Sequence, residues 1–150
     1  MRSITFLSAA LAATLLVAPV TAAEIRANPK AVVELFTSQG CSSCPKADAM
    51  FSELGKQQDV IALAYHVDYW DYIGWPDTFG AKANSDRQRA YADSWGSSRI
   101  YTPQLIVNGS TGVVGSRDKE VDGALDDARL TLPVVLSVGA DMLEVTVGPQ

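Results

Sequence analysis

The sequence predicts an α/β fold, on three observations. An apolar run suited to a strand, Ala31-Val32-Val33-Glu34-Leu35-Phe36-Thr37, gives way within a few residues to a helical pattern that begins at Pro45. A second run, Val60 to Val67, is almost continuously apolar, the pattern of a parallel strand buried on both faces. Between them stand the only two cysteines, Cys41 and Cys44, spaced C-x-x-C where strand turns into helix.

Each element follows from its residues. The first strand ends in Ser38-Gln39-Gly40, a turn that delivers Cys41. The helix after it carries Ala47, Met50, Phe51 and Leu54 at helical spacing, with Pro45 tolerated in the first turn and Gly55 suited to the stop. The run from Val60 is expected to be a central strand. An aromatic loop, Asp68 to Pro76, leads to a polar helical insert from about Asp77 to Trp95. Tyr101-Thr102-Pro103 precedes Gln104 to Val107, and Asn108-Gly109 ahead of Thr111 to Val114 is a strong hairpin signal. Asp118 to Leu130 reads as a last helix with Val121, Leu125 and Ala128 on its apolar face. Val134 to Val138 and Leu143 to Val147 then form a hairpin about Gly139-Ala140-Asp141, within a β-rich extension over residues 131–150. An isolated hairpin is marginal, so a truncated chain is expected.

Residues 1–23 read as a signal peptide: Arg2, an apolar stretch from Ile4 to Val20, and small residues that allow cleavage after Ala22 or Ala23. The stretch is close to the lower limit of about 17 residues for a membrane span and is broken by Pro19, so a cleaved signal is preferred to an anchor. No cysteine follows it to take a lipid. The mature protein is expected to be exported, periplasmic or secreted. Its remaining length suits one domain. Without Arg2, 11 basic residues face 17 acidic ones, a formal charge of −6. With no basic run, charge gives no reason to expect nucleic acid or an anionic membrane as partner.

Export changes the meaning of the cysteines, because a disulfide persists outside the cytosol. A C-x-x-C loop removes little entropy from the unfolded chain, so it is a poor staple and a good switch. Cys41 is the candidate nucleophile: it precedes the helix and is expected to be the more exposed sulfur, with Cys44 inside the first turn as the resolving thiol. The positive end of the helix stabilises a thiolate by about 0.3–1 kcal/mol, at best about 2. At about 1.36 kcal/mol per unit this lowers a thiol pKa by roughly one unit, so neighbours must supply the rest. Ser42 and Ser43 can hydrogen-bond a thiolate without adding charge.

The sole histidine, His66, closes the second strand, and alternation places Asp68 on its face, where a carboxylate could orient the imidazole. A satisfied structural histidine is the alternative. Tyr69, Trp70, Tyr72 and Trp75 either wall a substrate groove beside the thiols or pack the helical insert onto the sheet. Arg87 and Arg89 read as a solvated helix face. Asn108-Gly109-Ser110 fits a glycosylation pattern, but a turn explains it without sugar.

The element order resembles the thioredoxin fold with a helical insert after the second strand. The strings Glu34-Leu35-Phe36-Thr37-Ser38-Gln39-Gly40-Cys41-Ser42-Ser43-Cys44-Pro45, His66-Val67-Asp68-Tyr69-Trp70-Asp71 and Tyr101-Thr102-Pro103-Gln104 closely resemble an uncharacterised family of secreted thioredoxin-like proteins, catalogued as a domain of unknown function. The resemblance covers most of residues 30–130, the expected domain, and members of that family usually continue through further strands. It implies that Pro103 sits opposite the cysteines after a cis Thr102–Pro103 bond, leaving a backbone edge at Thr102 for an extended substrate. It also implies that Glu34, if buried, ferries the proton of the second cysteine, although its spacing from Cys41 is one residue longer than in thioredoxins.

The expected activity is thiol–disulfide exchange on protein or small-molecule disulfides, with a redox partner to reset the pair and no metal or organic cofactor. The rival is a thioredoxin-like copper carrier or assembly module using Cys41, Cys44 and His66, since thiolates with an imidazole suit Cu(I). Two cysteines and one histidine fall short of structural zinc.

Overall fold

A computed structural model describes residues 29–130 and the strands at 134–138 and 143–147. The expected signal peptide, residues 1–23, lies outside the described residues. In chain order the elements are β1 (Ala31–Thr37), α1 (Cys44–Leu54), β2 (Val60–His66), a single 3-10 turn (Asp71–Ile73), α2 (Lys82–Ser94), β3 (Gln104–Val107), β4 (Thr111–Val114), α3 (Asp118–Asp126), β5 (Val134–Val138) and β6 (Leu143–Val147). The α/β class and the sequence of elements are as expected, with helix ends shifted by a few residues.

Four strands form one mixed sheet in the order β2-β1-β3-β4, and β5 pairs antiparallel with β6 in a separate two-stranded sheet. β1 and β2 are parallel, from Ala31 opposite Val60 to Thr37 opposite His66. β3 runs antiparallel to β1, with Gln104 opposite Phe36, and β4 antiparallel to β3, with Val114 opposite Gln104. One end of the sheet therefore gathers His66, Thr37, the Thr102–Pro103 segment and Val114.

Alternation along β1 divides the core between two faces. Val33 and Leu35 pack with Ala47, Phe51 and Leu54 of α1 and Val121 of α3. Phe36 and Ile106 pack on the opposite face with Val67, Tyr65, Tyr69, Trp70 and Tyr91, the last from α2. Burying each of the large aliphatic and aromatic side chains contributes about 1.5–3 kcal/mol.

One expectation is corrected here. β2 is an edge strand, not a central one, and Leu63 is 41% exposed. The central place belongs to β1, buried at every position but Val32. A run such as Ile61-Ala62-Leu63-Ala64 looks the same at an edge as in the middle, because its small alanines leave half-covered positions tolerable.

The β3–β4 hairpin turns where Asn-Gly predicts it. Asn108 and Gly109 both have positive φ, 50° and 70°, as a type I′ turn requires. Asn108 Oδ1 also accepts the Val32 N–H at 2.8 Å, so this side chain fastens the hairpin to β1.

Candidate functional site

The turn from β1 into α1 is built from local bonds. The Gly40 N–H donates to Ser38 Oγ at 3.1 Å and the Cys41 N–H to the Ser38 carbonyl at 3.1 Å. The Cys44 N–H returns to the Cys41 carbonyl at 3.1 Å, and α1 starts there, with Pro45 in its first turn and no acidic residue to occupy its positive end.

Cys41 and Cys44 are joined in a disulfide, with Cα atoms 5.4 Å apart. Ser43 Oγ lies 3.5 Å from Cys41 Sγ, so one of the two serines does reach the first sulfur. The order of exposure is as expected, but the degree is not: Cys41 is 3% exposed and Cys44 0%. Cys41, though the outer sulfur, is itself nearly covered. It is tied to a fully buried partner, and its turn is backed by the aromatic loop, since a Cβ placed on Gly40 would stand 3.1 Å from both Ile73 Cδ1 and Trp70 Cβ.

Thr102–Pro103 is cis, and Pro103 is fully buried. The Pro103 carbonyl accepts the Gly115 N–H at 3.0 Å, and Gln104, the next residue, pairs with Phe36 near the end of β1. Trp70 Nε1 donates to Thr102 Oγ1 at 2.7 Å. Trp70 thus touches both sides of the site, the Gly40 turn and the residue before the proline.

The aromatic loop divides between the two readings given to it. Tyr69 and Trp70 pack on the α2 face of the sheet, and Tyr69 donates to Gln88 Oε1 at 3.1 Å. Burial pushes the Tyr69 phenol above its ordinary value, against the pull of Gln88, Thr102 and Arg89. Tyr72, Trp75 and Phe79 instead stand 81%, 64% and 68% exposed. Trp75 Nε1 donates to Gln39 Oε1 at 3.4 Å, which keeps that ring beside the turn before Cys41.

Glu34 is buried, but on the α2 face, opposite the helix that carries Cys44. Its carboxylate takes two bonds from Arg87, Nε to Oε2 at 2.6 Å and Nη2 to Oε1 at 3.0 Å, and a third from Tyr91 Oη at 2.6 Å. The Arg87 guanidinium lies over the Tyr65 and Tyr91 rings, 5.1 and 5.4 Å from their centroids. Strand alternation turns Glu34, the expected proton ferry, away from α1 and into an ion pair. Arg87 is likewise no free surface charge, whereas Arg89 pairs with exposed Asp86 at 3.1 Å.

His66 is oriented by a carboxylate, though not the expected one. Its Nδ1 lies 2.7 Å from Asp77 Oδ2, while Asp68 accepts from Ser85 Oγ instead. The Asp77 side chain is 0% exposed. Oδ2 also accepts the Gln39 N–H at 2.7 Å, and Oδ1 the Phe79 N–H at 2.9 Å. Burial opposes the Asp77 charge, yet the Gln39, His66 and Phe79 donors outweigh it and hold the carboxyl below its ordinary value. Asp77 went unrecognised in the sequence because it stood at the expected start of a polar helix. Among the described residues no three His, Cys, Asp or Glu side chains converge as a metal site.

A family model described as a protein of unknown function, DUF1223, matches residues 32–148. A crystal structure of an Agrobacterium tumefaciens protein from a structural-genomics consortium is similar at 41% identity with a TM-score of 0.74. The match covers 81% of this chain and 57% of that one. No curated protein matches.

Proposed function

We propose a function from the site itself, because the chain belongs to the DUF1223 family, whose description assigns none. The reading is an exported thiol–disulfide oxidoreductase on a thioredoxin-like fold. The fold reading is supported by the β2-β1-β3-β4 order with helices on both faces and by a cis X-Pro bond leading into β3. Export rests on the sequence of residues 1–23. The single observation that carries the activity is the Cys41–Cys44 disulfide at the β1-to-α1 turn, where the first sulfur is the outer one.

In the reduced pair, the Cys41 thiolate attacks one sulfur of a substrate disulfide. A Cys41–substrate S–S bond forms, the substrate S–S bond breaks, and the second substrate sulfur leaves as a thiolate that takes a proton from solvent. Cys44 then loses its proton to solvent and its thiolate attacks Cys41 Sγ, closing the intramolecular bridge and expelling the first substrate sulfur as a thiolate that takes up a proton in turn. The substrate gains two electrons and the pair loses two, so a dithiol donor must reset it. The same steps run backwards oxidise a substrate dithiol. Thr102 offers a backbone edge beside the pair, and Trp70 fixes that residue in place. With Cys41 3% exposed, approach to its sulfur requires the surrounding chain to yield.

The copper reading needs His66 to join both sulfurs. His66 is engaged with Asp77, and no observation favours that reading over exchange.

The test is a pair of variants assayed on a peptide disulfide. Cys41→Ser should abolish reduction, and Cys44→Ser should accumulate a mixed disulfide through Cys41. Unchanged turnover in both would refute the assignment.

A further inference from the structure

We propose that Asp77 is a positioning residue for the exchange site, carrying the protonation state of His66 to the turn that presents Cys41. This rests on the redox reading above and adds a residue to it.

The geometry centres on one oxygen. Asp77 Oδ2 faces His66 Nδ1 and the Gln39 N–H, both at 2.7 Å, and Gln39 is two residues before Cys41. The other oxygen is held by the Phe79 N–H, and the Asp77 N–H donates to Asp71 Oδ1 at 3.0 Å, so the carboxylate cannot swing to serve one partner alone. One oxygen therefore links the imidazole to the backbone that leads into Cys41. When His66 carries a proton, its bond to Oδ2 joins two charged groups and the imidazolium offsets the carboxylate's charge beside the turn. When His66 is neutral, a buried negative charge stands beside the turn and disfavours a second one on Cys41 Sγ.

The other charged groups around this unit do not relieve it. Asp71 meets it from the 3-10 turn, Asp48 of α1 accepts from Thr37 Oγ1 at 2.7 Å, and Asp68 is bound to Ser85 of α2. Lys82, at the start of α2, is paired with Asp86 at 2.6 Å. His66, with its side chain 24% exposed, is the cation that the unit can acquire as pH changes.

The experiment follows the rate at which iodoacetamide alkylates Cys41 in the reduced full chain across about pH 5 to 9, the range in which histidine and thiol groups change charge. Wild type should show an inflection from His66 in addition to that of the thiol. His66→Gln and Asp77→Asn should each lose the extra inflection. Asp77→Asn, without the buried charge, should react roughly threefold faster than wild type above the His66 inflection and below that of the thiol, where wild-type His66 is neutral. Superposed profiles in wild type and His66→Gln would overturn the proposal, and this comparison decides the matter if Asp77→Asn fails to fold. Reduction of the wild-type pair by dithiothreitol is measured alongside. Normal reduction with superposed profiles removes this proposal alone; a pair that never exchanges removes the redox reading and the proposal with it.

Discussion

Trp70 Nε1 donates to Thr102 Oγ1 at 2.7 Å, and the Cβ of the same tryptophan stands against Gly40, one residue before Cys41. A single side chain thereby ties the aromatic loop to the turn before Cys41 and to the residue before the cis proline. A half-buried hydrogen bond of this kind contributes about 0.5–1.5 kcal/mol.

A double-mutant cycle isolates that bond. Trp70→Phe and Thr102→Val should each destabilise the protein, and the double variant should cost less than the sum, with a coupling of about 1 kcal/mol in urea denaturation. Strict additivity would mean that the two residues do not act together.

The Glu34–Arg87 pair makes a second expectation. Arg87→Met removes the bidentate partner of a carboxylate whose side chain is 6% exposed, leaving Tyr91 alone to satisfy it. Because the arginine itself is 44% exposed, solvent screens part of the loss, and a destabilisation of about 2 kcal/mol is expected. The rate of disulfide exchange should stay the same per folded molecule, since the pair lies on the face away from α1. A large fall in exchange rate in Glu34→Gln would restore the proton-ferry role.

Tyr91 supplies a pH dependence. Burial, followed by its bond to Glu34, pushes the phenol up to about 12 from its ordinary 10.0. The folded state thus holds a proton that the unfolded state releases between these values. Stability from this group is complete below about pH 10 and is lost as pH rises toward about 12. Alkaline unfolding monitored by circular dichroism should begin in that window in wild type and shift upward in Tyr91→Phe. An unchanged alkaline limb would contradict the assignment.

Much of this was legible in the chain because the signals are local. The run 31–37, Pro45 and Gly55 around a helix, and Asn108-Gly109 between two short strands each name their own element. Proline 103 was legible through family resemblance, which supplied the cis bond that base rates would have argued against. What escaped was tertiary. The carboxylate of Asp77 serves an amide 38 residues away and an imidazole 11 residues away, a relation no window of sequence contains. The face of Glu34 depended on which helix lay over which side of β1, and the edge position of β2 on a partner order that an apolar run does not encode.

The most direct measurement is the equilibrium of the Cys41–Cys44 pair with a dithiol buffer of known potential. A working exchange site is expected to sit between about −270 and −120 mV, where reductants and oxidants of this chemistry operate. A value below about −300 mV, the range of bridges that resist cellular thiols, would mark the disulfide as structural and contradict the account.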